Sequence, residues 1–199
     1  MNLIFFIKSA TVDITKYNIK DIPGSSGRID LISRCILAAI LEESKLAPKT
    51  QIWIFLDNYR NFVFNSEVLD YESFPKNELL LTDAFVNLIR KEESTNFDSN
   101  NGLSSVKVVN LGFIDALKHF IEGNFKIFIL NEKGKDFFIY LNEITLEEKV
   151  LFVIGSQSGK ILNSRELLEL NLQNLSLGSQ SYLASSVIRI IKMNLNLKV

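Results

Sequence analysis

The chain has 199 residues and a mass of 22.7 kDa, the size of a single domain. Its 47% hydrophobic and 23% charged content, with a mean hydropathy of +0.14, excludes a disordered or collagen-like chain. The 22 basic and 23 acidic residues leave a net charge of −1, which removes a uniformly basic surface as an argument for nucleic-acid binding.

In chain order, residues 3–7 (Leu-Ile-Phe-Phe-Ile) form a continuous apolar run, as in a strand covered on both faces. The run is far below the ~20 residues of a membrane span, and Lys8 and Asp13 follow it without a cleavage-like segment. No membrane segment or signal peptide is expected. A turn at Pro23-Gly24-Ser25-Ser26-Gly27 precedes a helix over 29–44, in which Ile29, Ile32, Ile36, Ile40 and Leu41 recur at helical spacing. The serines are good caps for that helix. Residues 51–57 and 62–65 read as strands joined by Asn58-Tyr59-Arg60, and 82–91 as a helix. Residues 94–105, centred on Asp98-Ser99-Asn100-Asn101-Gly102, read as the one long loop and a candidate lid. The second half alternates: strand 106–109, helix 113–122, strand 126–130, strand 151–154, helix 163–170, strand 174–177 and helix 181–194. Strands alternating with helices predict an α/β fold with a largely parallel sheet, in one domain spanning 1–199.

The lone Cys35 excludes a disulfide framework and favours a reducing, cytoplasmic setting. In mid-helix it reads as a small hydrophobe. One His and one Cys make a metal site improbable, and His119, on the 113–122 helix, reads as structural. No Walker loop, G-x-G-x-x-G, G-x-S-x-G or H-E-x-x-H occurs. Two places carry more chemistry. The first is the glycine-rich turn running into Arg28, Asp30 and Arg34. A helix entry with backbone N–H groups suits a phosphate, the arginines suit bidentate phosphate contacts, and Asp30 between them is a candidate base. A cap at Ser26, a dipole-complementing Asp30 and two solvated arginines explain the same residues equally well. The second is a set of three strand ends, Leu130-Asn131-Glu132, Ile154-Gly155-Ser156 and Ser176-Leu177-Gly178. Ligands of α/β sheets settle outside carboxyl ends of strands, where glycine lets the backbone approach.

The stretch Ile19-Lys20-Asp21-Ile22-Pro23-Gly24-Ser25-Ser26-Gly27-Arg28-Ile29-Asp30-Leu31-Ile32-Ser33-Arg34-Cys35 resembles the signature of the archaeal tRNA pseudouridine N1-methyltransferases, members of the SPOUT class. Ser176-Leu177-Gly178 followed by Tyr182-Leu183-Ala184-Ser185-Ser186-Val187 resembles the closing segment of that family, so the likeness spans nearly the whole chain. The resemblance implies a SPOUT-type sheet with a trefoil knot within about 125–199, a homodimer, and S-adenosylmethionine held by Leu130, Gly155, Leu175, Ser176, Leu177, Gly178, Ser179, Gln180 and Val187. It implies methyl transfer to N1 of a T-loop pseudouridine in tRNA. Asp30 would be the catalytic base, with Arg28, Arg34, Ser25 and Ser26 on the substrate. Where relatives carry an acid and His after the Gly155 strand, this chain has Ser156 and Gln157, and a Pro-Gly pair before Val106 is replaced by Gly102-Leu103-Ser104-Ser105. The same chemistry on ribosomal RNA, or a non-catalytic RNA-binding protein of the same fold, remains open at this point.

Overall fold

The computed structural model describes residues 1–93, 102–155 and 165–196. Seven strands form one sheet in the order β4-β3-β2-β1-β6-β5-β7, with β1 at Asn2–Ser9, β2 at Thr50–Leu56, β3 at Asn61–Asn65, β4 at Lys107–Val109, β5 at Lys126–Asp136, β6 at Lys149–Ile154 and β7 at Gln173–Ser176. The pairs β2–β1, β1–β6, β6–β5 and β5–β7 are parallel, whereas β3 and β4 join antiparallel. The mixed α/β fold with a largely parallel sheet is therefore as expected. A short Asn58-Tyr59-Arg60 connection leaves room for no crossover, which makes β2 and β3 a hairpin.

Alternation along β1 explains its unbroken apolar run. Leu3, Phe5 and Ile7 enter one core and Ile4 and Phe6 the other, so neither face meets water. Helices α2 (Ile29–Ile40), α3 (Glu78–Glu93), α5 (Phe137–Thr145) and α7 (Ala184–Asn196) cover the first face. Helices α4 (Phe113–Glu122) and α6 (Arg165–Glu169) cover the second. On that side Phe6 is ringed by Trp53, Phe55, Phe113 and Phe120, with centroids 4.9–6.0 Å away.

Several boundaries differ from the sequence reading. Helix α2 stops at Ile40, because Leu41 turns extended (ψ 141°) and bridges to Leu46. Helix α3 begins at Glu78, where Asn77 Oδ1 accepts from Leu80 N. The last helix begins at Ala184. Two helices were not anticipated: α1 (Ile22–Ser25), capped by Asp21, and α5, capped by Asp136 Oδ1 accepting from Phe138 N at 2.9 Å. The apolar run in α5 is too short to tell strand from helix by periodicity. Of the expected 94–105 loop, 94–101 lies outside the described residues, while 102–105 form a turn whose Leu103 is fully buried. Ser156 and Gln157 also lie outside them, as do the first two residues of the expected 163–170 helix.

Strand β5 carries an irregularity. Its ladder with β7 places both Leu130 and Lys135 opposite Leu175, so residues 131–134 leave the pairing. Gly134 makes this possible: a Cβ there would run into the backbone of Leu175 and Asn174.

Candidate functional site

A cavity of about 600 Å³ opens at the carboxyl ends of β1, β5, β6 and β7. This is where an α/β sheet leaves room for a ligand, because the strands end and the connections splay. One wall is built from Leu130 and residues 131–133, Ile154, Gly155, Leu175, Ser176, Leu177 and Gly178, closed by Gln180, Ser181, Tyr182 and the first turn of α7 with Ala184, Ser185 and Val187. The turn after β7 is shaped by Ser176, whose Oγ accepts from Gly178 N at 3.1 Å and donates to Gly178 O at 3.0 Å. The structure thus brings together the expected cofactor residues Leu130, Gly155, Leu175, Ser176, Leu177, Gly178, Gln180 and Val187. Ser179 is exposed and off the wall.

The opposite wall comes from the end of β1 (Ile7, Lys8, Ser9), Ala10, Thr11, and α2 with Arg28, Leu31, Ile32 and Cys35. Sequence reasoning named three strand ends and missed the fourth, that of β1. The rule about carboxyl ends of parallel strands applied to it equally, and its polar exit Lys8-Ser9-Ala10-Thr11 was the signal.

The turn before α2 is fixed against the loop after β1. Gly27 sits at φ +58°, and a Cβ on it would overlap the Thr11 carbonyl. Thr11 Oγ1 donates to Gly27 O at 2.9 Å, and Asp13 N to Ser26 O at 3.2 Å. The expected cap at Ser26 needs correcting. The N-cap position is Arg28, itself left-handed at φ 73°, and Ser26 braces from below by accepting from Ile29 N and donating to Ile22 O. Ser26 is fully buried, and Ser25 Oγ donates to Asp21 O and accepts from Asn18 N, so both serines hold the turn and neither lines the cavity. With Ile29 N and Leu31 N also engaged, the turn is not an open phosphate cradle. The charge it presents is Arg28.

Asp30 lies behind Arg28, buried and off the cavity wall. Its Oδ1 accepts from Arg28 Nε at 3.0 Å, and its Oδ2 from Arg28 Nη2 at 3.0 Å and Arg34 Nη2 at 2.8 Å. Arg34 also pairs with Glu78, Nε to Oε2 at 3.3 Å, and does not reach the cavity. Burial raises the Asp30 pKa, but the two guanidinium groups outweigh it and hold the carboxyl below its usual range. Both oxygens are committed to positive donors, which makes Asp30 a clamp for Arg28 and a poor proton acceptor. Cys35 touches the cavity, but burial pushes its thiol up to about 12 and leaves no thiolate for chemistry. His119 is exposed on α4, edge-on to Phe120, on the second-core side. Among the described residues no group of three or more His, Cys, Asp or Glu is placed to hold a metal, and no helix is long and apolar enough to cross a membrane.

Comparison with known proteins identifies the family and the fold. The family described as "Putative SAM-dependent RNA methyltransferase" matches residues 2–198. Among similar sequences are proteins named tRNA (pseudouridine(54)-N(1))-methyltransferase. That of Thermococcus onnurineus is 26% identical over 96% of each chain. That of Pyrococcus abyssi is 26% identical over 97% of each, and that of Methanocaldococcus jannaschii 26% identical over 96% of this chain and 94% of its own. Nep1 of Archaeoglobus fulgidus, solved with S-adenosylhomocysteine bound, shares the fold with a TM-score of 0.64 at 15% identity, covering 99% of this chain and 98% of its own. A match running from the first strand to the end of the last helix, on a chain whose cavity joins both expected motifs, places the protein in that family of S-adenosylmethionine-dependent RNA methyltransferases.

Proposed function

We propose that this protein transfers a methyl group from S-adenosylmethionine to N1 of the pseudouridine at position 54 in the T-loop of tRNA, the activity for which its archaeal relatives are named. The observation that carries the reading is the two-walled cavity: a backbone-rich wall at the ends of β5, β6 and β7 faces a wall bearing the clamped guanidinium of Arg28.

The backbone-rich wall fits the cofactor. Leu130, Ile154, Leu175, Leu177 and Val187 offer an apolar seat for an adenine ring, and the turn 175–180 with Gly155 offers backbone donors and acceptors for its polar edge. When bound, S-adenosylmethionine supplies an activated methyl group. The protein's own task is then to align the nucleotide, which in favourable cases supplies about 7–11 kcal/mol of barrier reduction. Arg28 has spent Nε and Nη2 on Asp30 and keeps Nη1 for an RNA phosphate or base edge. Asp30 and Arg34 act through Arg28 by fixing its direction. A flipped-out loop base presents its edge to such a cleft.

The same reading includes three further features. The chain threads as a trefoil knot within about 125–199, the topology that the resemblance to the family implies. It works as a single domain, and as a homodimer in the cytoplasm. Support for the dimer is the exposed apolar surface at α7, where Leu183, next before the helix, and Met193 on it are more than half exposed.

Titration with S-adenosylhomocysteine, followed by methylation of a pseudouridine-containing tRNA transcript, tests the proposal. Binding near one site per chain with methyl incorporation at one T-loop nucleotide is the expected result. Binding without incorporation into tRNA, but with incorporation into ribosomal RNA, would replace the substrate. No binding with or without RNA would leave an RNA-binding protein without turnover.

A further inference from the structure

Methylating N1 of a pseudouridine requires that nitrogen to lose a proton, and the residue expected to take it is committed elsewhere. Asp30 accepts three N–H donors from two arginines and does not reach the cavity. Among the described residues that line the cavity, the other ionisable side chains are Lys8, Arg28, Cys35, Lys133, Tyr182 and Glu132. Lys8 is a cation paired with Asp57 at 3.0 Å, Arg28 and Lys133 are cations, the Cys35 thiol is buried, and Tyr182 is a phenol. One carboxylate remains. Resting on the methyl-transfer reading, we infer that Glu132 is the proton acceptor.

Its position follows from the irregularity in β5. Residues 131–134 step out of the ladder between Leu130 and Lys135, and Asn131 Oδ1 accepts from Lys133 N at 3.0 Å, turning the chain at Glu132. Gly134 then lets the strand resume tight against the Leu175 backbone, so the step is anchored on both sides. Glu132 thereby stands exposed on the cavity rim, next in sequence but one to Leu130 on the cofactor wall. No hydrogen bond or ion pair among the described residues engages its carboxylate, in contrast to the fully committed Asp30. In the step itself the N1 proton passes to a Glu132 oxygen while its electron pair stays on nitrogen. That pair forms the nitrogen–methyl bond as the methyl–sulfur bond breaks with its electrons on sulfur. Solvent at the exposed rim then carries the proton away. Lys8, Arg28 and Lys133 line the same cavity and place positive charge near the acceptor.

Glu132→Gln keeps the size and polarity of the side chain at an exposed position, so the fold is not at risk. Wild-type protein is first shown to bind S-adenosylhomocysteine and to methylate the tRNA transcript; failure at that stage defeats the methyl-transfer reading and not the assignment of Glu132. The variant is expected to bind S-adenosylhomocysteine and tRNA with unchanged affinity, while single-turnover methylation falls about 10²–10⁴-fold. The fall of the wild-type rate at acid pH is expected to disappear with it. Unchanged turnover, or a retained acid limb, overturns the inference. So does a loss confined to cofactor affinity, which would make Glu132 a contact to the cofactor's ammonium group.

Discussion

Lys192 ties the two walls of the cavity together from behind, and replacing it with Met tests whether that tie sets the site. It lies on α7, buried, and its Nζ donates to the carbonyls of Ala38 at 3.2 Å, Ala39 at 2.7 Å and Leu41 at 3.3 Å, at the C-terminal end of α2. An ammonium there meets the negative end of the helix and satisfies carbonyls that have no partner within it. Met keeps the apolar stem and removes the donors, leaving buried acceptors unpaired at a cost of about 1–3 kcal/mol, reduced by no longer burying a charge. A loss of about 2 kcal/mol lowers Tm by about 4–8 °C for a chain of this size. Because α2 carries Leu31, Ile32 and Cys35 and α7 carries Ala184, Ser185 and Val187 into the cavity, S-adenosylhomocysteine affinity is expected to fall as well. Burial pulls the Lys192 ammonium from 10.5 to about 8, against the opposing charge of Glu42. The folded value lies below the unfolded one, so between about pH 8 and 10.5 the unfolded chain holds the extra proton and wild-type stability rises relative to Lys192→Met. Thermal melts of both proteins across that range, with calorimetric titration of the ligand, measure each part. A variant as stable as the wild type with unchanged affinity refutes the tie, and a gap that narrows with pH refutes the burial argument.

Gly27→Ala places a Cβ on a residue at φ +58° and against the Thr11 carbonyl. The left-handed conformation alone costs about 1–2 kcal/mol, and the overlap adds to it, so Tm is expected to drop with a loss of tRNA methylation as Arg28 shifts. A Tm within a degree of wild type would show that the turn relaxes freely. Asp30→Asn leaves Arg28 and Arg34 without their shared anion, costing about 1–3 kcal/mol, below the fully buried range because both guanidinium groups reach solvent. Turnover is expected to weaken through a raised KM for tRNA with a smaller change in kcat; a loss confined to kcat would restore Asp30 as the base. The ion pair also sets an acid limb of stability. Its contribution is present above the unfolded value of 3.8 and is lost as pH falls through the lower folded value. Acid denaturation of Asp30→Asn should accordingly be shallower in that range, and identical profiles would contradict the clamp.

The sequence by itself determined the layers. The unbroken apolar run at 3–7 announced a strand covered on both faces, and the 3.6-residue spacing of Ile29, Ile32, Ile36 and Ile40 announced the helix that covers one of them. The signature around Arg28 and the closing segment at 176–187 were equally visible, because both are local strings of residue types. Only the tertiary structure decided what those strings do. Whether Asp30 is a base or a clamp depends on where two guanidinium groups three-dimensionally point. Whether Ser26 caps a helix or is sealed beneath it depends on the Thr11 loop, which bonds to Gly27 from sixteen residues away in sequence. Helix α5 was hidden because a nine-residue helix with its apolar run confined to 137–141 has too few turns to display a period. Glu132 was visible only as part of a strand end, because its exposure comes from a break in the β5–β7 ladder, and Lys192 was hidden because its acceptors lie 151–154 residues away. Pairing in a sheet and capping across helices join residues distant in the chain, and local spacing carries no record of which distant partner will be met.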